Sequence, residues 1–237
     1  MLRVLPPSKN LTLSERAYYE IKKMIACREL LPGTPLVLQT LAKKLGVSRM
    51  PILEAIRRLE RDGLVTVRPQ WGASVKEWSA EEILSAYCIR RGLEGEAARQ
   101  FVMRASTEDK RRLQELSDLV DKYAVTDLLK CDEADLAFHL HIARSTRLPR
   151  LYELIENSKI ETTLILGLPL TVHNELETVR LRNQANIGNH MPIVRALCGQ
   201  DPEAAVAAIW QHVDLNLQWI MSLLEKQQEG ESIARRG

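Results

Sequence analysis

Asp135 and His139 stand four residues apart in a helix-forming stretch, so both side chains project from one face, one turn apart. That spacing lets a carboxylate and an imidazole reach one cation. His190 and His212 each lie in a separate helical pattern further along the chain. Such a set suits zinc first, with nickel or manganese as alternatives, and leaves a coordination position for an outside ligand. Alternatively, each histidine is an ordinary core or surface residue, the common role of a single helical histidine.

Two further histidines, His141 and His173, are expected to have only structural roles. His141 is two positions from His139 and therefore points to another side of the helix. An open metal position could also activate water in a metal-dependent hydrolase or lyase. The sequence contains no His-Glu-x-x-His motif and no obvious acid paired with the candidate ligands as a general base, so we predict no catalytic residue and no enzyme activity.

A second group of residues could bind DNA. Apolar residues recur at helical spacing in 38–45 and again in 52–59. Gly46 can adopt the left-handed conformation just past a helix end, and Ser48 can cap the next helix by accepting a hydrogen bond from a free amide. These features predict two helices joined by a tight turn, a helix-turn-helix.

The second helix of such a motif enters the major groove, where its first turn meets base edges. Arg49 offers a planar fork of donors for guanine or for phosphate. An alternating stretch over 64–76 predicts a two-stranded hairpin, a wing, after this helix. The alternative is a small helical domain with basic, solvated faces. The predicted DNA contacts are Ser48, Arg49, Met50 and Pro51 in the first turn, and Lys43, Lys44, Arg57, Arg58, Arg68, Gln70 and Gly72 around it.

Charge is unevenly distributed along the 237 residues, which have the ordinary composition of a soluble protein. Residues 1–77 hold 14 Lys and Arg against 7 Asp and Glu, whereas the remainder holds 19 against 24. This asymmetry is typical of a nucleic-acid-binding domain joined to a sensing domain. The scattered cysteines predict buried, reduced thiols in a cytoplasmic protein. The longest apolar stretch, 163–172, is about half of the ~20 residues that a membrane span needs, so we expect no membrane partner.

The pattern changes near residue 78. Ser79, followed three residues later by Glu82, predicts a capping box, and helical patterns follow it. The fold is therefore predicted as mainly α, an N-terminal winged helix-turn-helix with a small β-wing followed by an all-α helical-bundle sensing domain. The predicted domains are a flexible tail (1–10), a DNA-binding domain (11–77), an effector- and metal-binding and dimerisation domain (78–228) and a disordered tail (229–237). The predicted helices of the third part cover about 80–104, 107–124, 126–145, 148–167, 173–198 and 202–228.

The run Pro32-Gly33-Thr34-Pro35-Leu36 is followed at ordered spacing by Leu41-Ala42, Leu45-Gly46-Val47-Ser48-Arg49, Pro51, Glu54-Ala55, Leu59, Gly63-Leu64-Val65 and Gly72. This succession resembles the winged-helix domain of the GntR family of bacterial transcription regulators. Two residues depart from the family. Leu53 stands where an arginine usually shares the operator contacts, and Trp71 is unusual beside the wing glycine. The resemblance thus implies DNA binding, but not the usual operator consensus.

Further motifs are Arg90-Arg91-Gly92-Leu93-Glu94 with Ala97-Ala98-Arg99, Asp135-x-x-Phe138-His139, His190-x-x-Ile193 and His212. They make residues 80–225 similar to the FadR C-terminal domain (FCD), the all-helical sensing domain of one GntR subfamily. Many of its members bind a divalent metal, which implies Asp135, His139, His190 and His212 as ligands. Its effectors are mostly small organic acids, and Arg90 resembles the arginine at its cavity wall, suited to a carboxylate. The alternative for Arg90 is a surface or interdomain salt bridge.

Together these patterns indicate a ligand-responsive, sequence-specific transcription regulator, a metabolite-sensing repressor, that binds double-stranded operator DNA as a homodimer. The hydrolase or lyase is the alternative from another class. In a third hypothesis, the helical part is mainly a dimerisation module whose metal is structural.

Overall fold

The structure is a computed structural model that describes residues 11–26, 29–124, 126–166 and 189–234. The chain divides after Glu77 into two compact units. We call Met1–Glu77 the first unit and Trp78–Gly237 the helical unit. The predicted flexible tail, 1–10, lies outside the described residues. Among those described, no helix is both long enough and apolar enough to cross a membrane.

In its described residues, the first unit combines three helices with a β-hairpin. Strands β1 and β2 pair antiparallel with Arg68 opposite Gly72, so the three residues between them form the hairpin loop. Before α2, Pro35 forms a single antiparallel bridge with Ser74 of the hairpin. The elements are α1 (Leu13–Ala26), α2 (Leu38–Leu45), α3 (Arg49–Arg61), β1 (Val65–Arg68) and β2 (Gly72–Val75).

The turn between α2 and α3 forms largely as predicted. Gly46 has a φ of 65° and ends α2 in the left-handed conformation, which a glycine adopts without a Cβ clash. Ser48 occupies the N-cap of α3, but its side chain accepts no hydrogen bond, so the predicted capping bond is wrong. A cap side chain accepts from the second or third helical residue, and the third is Pro51, which has no N–H. Ile52 and Leu59 on α3 are fully buried and pack the helix onto the unit's core.

The helical unit contains six described helices, and α4 lies at its centre because it packs against α6, α7, α8 and α9. Ser79 and Glu82 form the predicted capping box at the start of α4. Fully buried Phe101 and Phe138 belong to the apolar core that joins the helices. These helices are α4 (Ala80–Arg104), α5 (Thr107–Tyr123), α6 (Leu128–Ser145), α7 (Pro149–Leu166), α8 (Met191–Cys198) and α9 (Pro202–Ala234). The predicted fold class, a winged helix-turn-helix followed by an all-helical part, is confirmed.

Two predictions for this unit need correction. Helix α9 continues to Ala234, into the predicted disordered tail, because 229–234 contain no proline and consist mainly of residues that a helix tolerates. Residues 235–237 lie outside the described chain. The predicted buried thiols are wrong for two positions: Cys88 and Cys198 are exposed, Cys131 is buried, and Cys27 is not described.

Candidate functional site

The helical unit brings together all four candidate metal ligands. Asp135 and His139 lie one turn apart on α6, His190 is the residue before α8, and His212 lies on α9. All four residues are buried, and one ligand atom from each lies within 4.8 Å of the other three. The Oδ1 atom of Asp135 is 3.0 Å from Nε2 of His190 and 3.5 Å from Nε2 of His139.

These distances fit a shared divalent ion. Two donor atoms bound to one ion at ~2.1 Å are ~3.0 Å apart at a right angle and ~4.2 Å apart when opposite. The separations of 3.0 and 3.5 Å fall in this range. The most widely spaced pair of ligand atoms is up to 4.8 Å apart, and a small side-chain rotation would bring this pair into the range. One carboxylate with three imidazoles is a donor set that zinc and other first-row divalent ions accept.

The protonation states also fit a metal site. Burial alone would raise the pKa of Asp135, but Lys159 and His139 hold that pKa well below its usual range. Burial and the neighbouring His190 and His139 lower the pKa of His212 well below its usual value. Asp135 is therefore ionised and His212 neutral at neutral pH, and these are the forms that coordinate metals.

Behind the ligands, Glu94 on α4 fixes the orientation of His139. Its Oε2 lies 2.6 Å from His139 Nδ1, which leaves Nε2 facing Asp135. Its Oε1 accepts a hydrogen bond of 2.6 Å from Nε of Arg90. Burial would raise the pKa of Glu94, but Arg90 and His139 hold it well below its usual range. A carboxylate behind a ligating histidine is a common means of fixing the ring and its tautomer.

Lys159 on α7 is a fully buried lysine at the same site. Its Nζ lies 2.8 Å from Oδ2 of Asp135, the oxygen that does not face His190. Burial and the nearby Arg90 lower the pKa of Lys159, while Asp135 and Glu94 oppose this shift. Neither Lys159 nor Glu94 was predicted from the sequence to have a role at this site. The available signal for Glu94 was its position four residues after Arg90 on one helix; Lys159 gave no such signal.

Arg90 lies in the interior of the helical unit. It is 1% exposed and pairs with Glu94 on its own helix, so a surface or interdomain salt bridge is wrong. In the described part of the chain, neither Nη1 nor Nη2 of Arg90 has a hydrogen-bond partner. Two buried guanidinium donors are therefore available to an acceptor such as a carboxylate.

His141 is not part of this cluster. Nε2 of His141 lies 2.8 Å from the backbone oxygen of Asp109, so this ring joins α6 to α5. His173 lies outside the described residues. On α9, Asn216 donates a hydrogen bond of 2.7 Å to the backbone oxygen of His212, and its amide nitrogen is 3.2 Å from His212 Nε2.

In the first unit, the predicted DNA contacts lie on α2, on α3 and its N-cap, and at the tip of the hairpin. Met50 is 60% exposed, although it is apolar, and Pro51 is half-buried. Arg49 donates a hydrogen bond of 3.2 Å to Gln39, which is a contact that base edges could replace. The exposed members of the predicted set are Lys43, Lys44, Ser48, Arg49, Met50, Arg57, Arg68, Gln70 and Gly72.

Two of the predicted phosphate contacts already have partners in this unit. The guanidinium carbon of Arg58 lies 4.0 Å from the ring centroid of Tyr18, and Arg58 is half-buried. Lys44 pairs with Glu29 at the surface. Arg58 thus stabilises the packing of α3 on α1, whereas the exposed pair of Lys44 contributes little and can exchange for a phosphate.

Comparisons with known proteins give two family matches. Residues 85–215, more than half of the chain, match the FCD domain, and residues 13–75 match the bacterial regulatory proteins of the gntR family. The Uxu operon transcriptional regulator of Escherichia coli K12 is 28% identical over 231 residues, 87% of each chain. The transcriptional repressor RspR of the same strain is 23% identical over 205 residues, covering 85% of this chain and 86% of RspR.

Solved structures show the same fold. Escherichia coli McbR/YncC superposes with a TM-score of 0.75 at 22% identity, covering 91% of this chain and all of that one. The crystal structure of a putative transcriptional regulator GntR from Rhodococcus sp. RHA1 superposes with a TM-score of 0.69 at 24% identity, covering 88% of this chain and 97% of that one.

Proposed function

This chain belongs to the GntR family of bacterial regulatory proteins and carries an FCD domain. We propose a separate role in transcription regulation for each of its two units. The family match confirms a DNA-binding transcription regulator that is not an enzyme. The alternative of a metal-dependent hydrolase or lyase is therefore dropped. RspR is named a repressor, and we propose repression for this chain as well.

We propose that the first unit binds operator DNA through α3 and the wing. Arg49, with Ser48 and Met50, reads base edges in the major groove, while Lys43, Lys44, Arg57 and exposed side chains of the wing contact phosphates. A homodimer in the cytoplasm would place two such units on the half-sites of a pseudo-palindrome.

The helical unit, in this proposal, holds a divalent ion, zinc first, between Asp135, His139, His190 and His212. The supporting observation is the set of four buried donor atoms within 4.8 Å of one another. When bound, the ion supplies a positive centre with an open coordination position for an acid. Glu94 fixes the ring of His139 from behind, and Lys159 occupies the second oxygen of Asp135, which leaves one oxygen for the ion.

The effector is proposed to be a small organic acid. Among the described residues at the site, Arg90 and Lys159 balance the charges of Glu94 and Asp135 before an ion is added. A divalent ion then leaves an excess of positive charge, which favours an anion, and the two terminal nitrogens of Arg90 can bind a carboxylate. To regulate, the acid must favour one of two dimer arrangements by a few kcal/mol.

The direct test is element analysis of the purified protein, followed by calorimetric titration of a small-acid panel before and after metal stripping. We expect a bound divalent ion and one acid that binds only when the ion is present. His139→Ala should abolish both, whereas His141→Ala, two positions away and outside the cluster, should retain both. A metal-free protein that binds no acid would refute the sensing role.

The same experiment separates sensing from a purely structural metal. If the helical unit were mainly a dimerisation module, chelation would lower its melting temperature, but no acid would bind in either state. Saturable, metal-dependent acid binding would exclude that alternative.

A further inference from the structure

The hairpin loop of the first unit displays a tryptophan that the proposed function does not use. Trp71 is 87% exposed, more than any other large hydrophobic residue that the structure describes. The other tryptophans, all in the helical unit, are much less accessible: Trp78 and Trp219 are buried, and Trp210 is 38% exposed. Because an exposed indole contributes nothing to the core, the position of Trp71 needs another explanation.

A tight turn holds Trp71 at the tip of the wing. The backbone N–H of Trp71 donates a hydrogen bond of 3.1 Å to the oxygen of Arg68, which closes a four-residue turn. Pro69 takes the second position of this turn, and Gln70 takes the third with a φ of 68°. That left-handed conformation normally favours glycine. The chain therefore keeps a strained non-glycine residue in a turn that presents the next side chain to solvent, and such strain often marks functional loops.

The residues around Trp71 favour a binding partner that is a polyanion and also exposes apolar surface. Arg68 is exposed at the end of β1, next to this loop, and residues 1–77 carry 14 Lys and Arg against 7 Asp and Glu. Arg49 and Met50 are exposed on α3, the helix that enters the major groove in a helix-turn-helix. Each wing strand has four residues, or ~13 Å at ~3.3 Å per residue, which is about the ~12 Å width of the major groove. The tip can thus reach past the groove that α3 occupies.

We propose that Trp71 enters the DNA minor groove beside the base pairs that α3 contacts, and that it selects for A·T pairs there. The proposal rests on the DNA-binding role of the first unit. In the minor groove, A·T pairs present only acceptors, whereas guanine adds a protruding N2 amino group. The indole N–H of Trp71 can donate to those acceptors, and the guanine amino group would obstruct the ring. Arg68 then binds the neighbouring phosphate.

The test compares duplexes that differ only in the minor groove. A binding duplex is selected from a random library with the full-length protein. The A·T pairs at its flanks are replaced by G·C in a guanine duplex and by inosine·cytosine in an inosine duplex, and these two duplexes differ only in the N2 amino group. We expect wild type to bind the inosine duplex several-fold more tightly than the guanine duplex. Trp71→Ala should lose this preference and bind the preferred duplex about 10-fold more weakly, a typical loss for one aromatic contact.

Matched variants separate this contact from charge. Arg68→Ala should lower the slope of log affinity against log salt by about 1, whereas Trp71→Ala should leave the slope unchanged because the indole carries no charge. DNA should also change the tryptophan emission of wild type and of Trp210→Phe, but not of Trp71→Phe. Because Trp71 is exposed, these wing variants should keep the melting temperature of wild type.

Two results would overturn the proposal. Trp71→Ala could retain the inosine preference, or the emission of Trp71 could follow protein concentration instead of DNA, which would indicate contact with a second copy of the chain. A wild type that selects no duplex would instead refute the DNA-binding role, on which this inference depends. Binding in which Trp71 has no effect would refute the inference alone.

Discussion

Replacing Lys159 with methionine should destabilise the metal-free protein much more than the metal-loaded protein. The substitution keeps an unbranched side chain but removes the charge 2.8 Å from Oδ2 of Asp135. The lysine is 0% exposed and the aspartate side chain 11%, so water cannot replace the lost partner. Removing one member of a buried ion pair typically costs about 3–5 kcal/mol. We expect a loss of that size in the free energy of unfolding without metal.

A bound divalent ion should offset most of this loss. The ion compensates the charge of Asp135, and loss of the Lys159 ammonium also relieves its repulsion of the ion. The zinc-loaded variant still loses the hydrogen bond from Lys159 to Asp135. A hydrogen bond to a charged group contributes about 1.5–3 kcal/mol, and the relieved repulsion offsets part of that loss. We therefore expect a net loss below about 2 kcal/mol in the zinc-loaded protein, so that zinc stabilises Lys159→Met more than it stabilises wild type.

Urea unfolding of stripped and zinc-loaded protein measures both losses. Emission from the buried Trp78 and Trp219 reports the helical unit. Lys122→Met, at an exposed position on α5, is the matched control and should change stability by less than about 0.5 kcal/mol in either state. Equal losses for Lys159→Met with and without zinc would show that zinc does not replace the lysine as the cation that compensates the charge of Asp135.

Two further predictions concern the packing of the helical unit. A Cβ added at Gly95 would lie 2.5 Å from Nε1 of Trp210, so Gly95→Ala should lower the free energy of unfolding by about 1–2 kcal/mol, net of the helix preference of alanine. Gly92→Ala lies on the same helix, and a Cβ added there would have no atom within 4 Å, so this variant should raise the free energy of unfolding by about 0.5–1 kcal/mol. A urea titration in which both variants shift the unfolding midpoint in the same direction would contradict this packing. Burial would raise the pKa of Asp109, but hydrogen bonds from the backbone and side chain of Ser106 outweigh burial and lower that pKa. The ionised Asp109 therefore stabilises the fold. This stabilisation is fully present above the ordinary aspartate pKa and is lost as pH falls through the pKa of the folded protein. Unfolding measured between about pH 6 and 3 should therefore show a steeper loss for wild type than for Asp109→Asn, and parallel profiles would refute this role.

Local signals were sufficient to predict most of the fold. Gly46 ends α2, and the Ser79 and Glu82 pair begins α4, because turns and caps depend on neighbouring residues alone. The wrong capping bond of Ser48 was also a local question, since Pro51 could be seen to lack the necessary N–H. The extension of α9 to Ala234 could not be predicted in this way, because polar residues without a breaker are compatible with both helix and tail.

The candidate site was only partly predictable. Asp135 and His139 share a helix face by their spacing, but spacing alone does not place His190 and His212 beside them; the resemblance to a family did. The residues behind the ligands, Glu94 and the buried lysine of α7, were not predicted. Their roles depend on how α4 and α7 pack against α6. That packing cannot be predicted from neighbouring residues in the sequence.

We propose that an acid bound at the metal site of the helical unit changes DNA binding by the first unit. Fluorescence anisotropy with the selected duplex measures it most directly, with and without the acid, in zinc-loaded and metal-stripped protein. We predict that the acid changes the Kd for DNA by at least about 10-fold in zinc-loaded wild type, and that this coupling is absent from stripped protein and from His139→Ala. An acid effect of the same size without metal, or no acid effect in zinc-loaded protein, would contradict the claim.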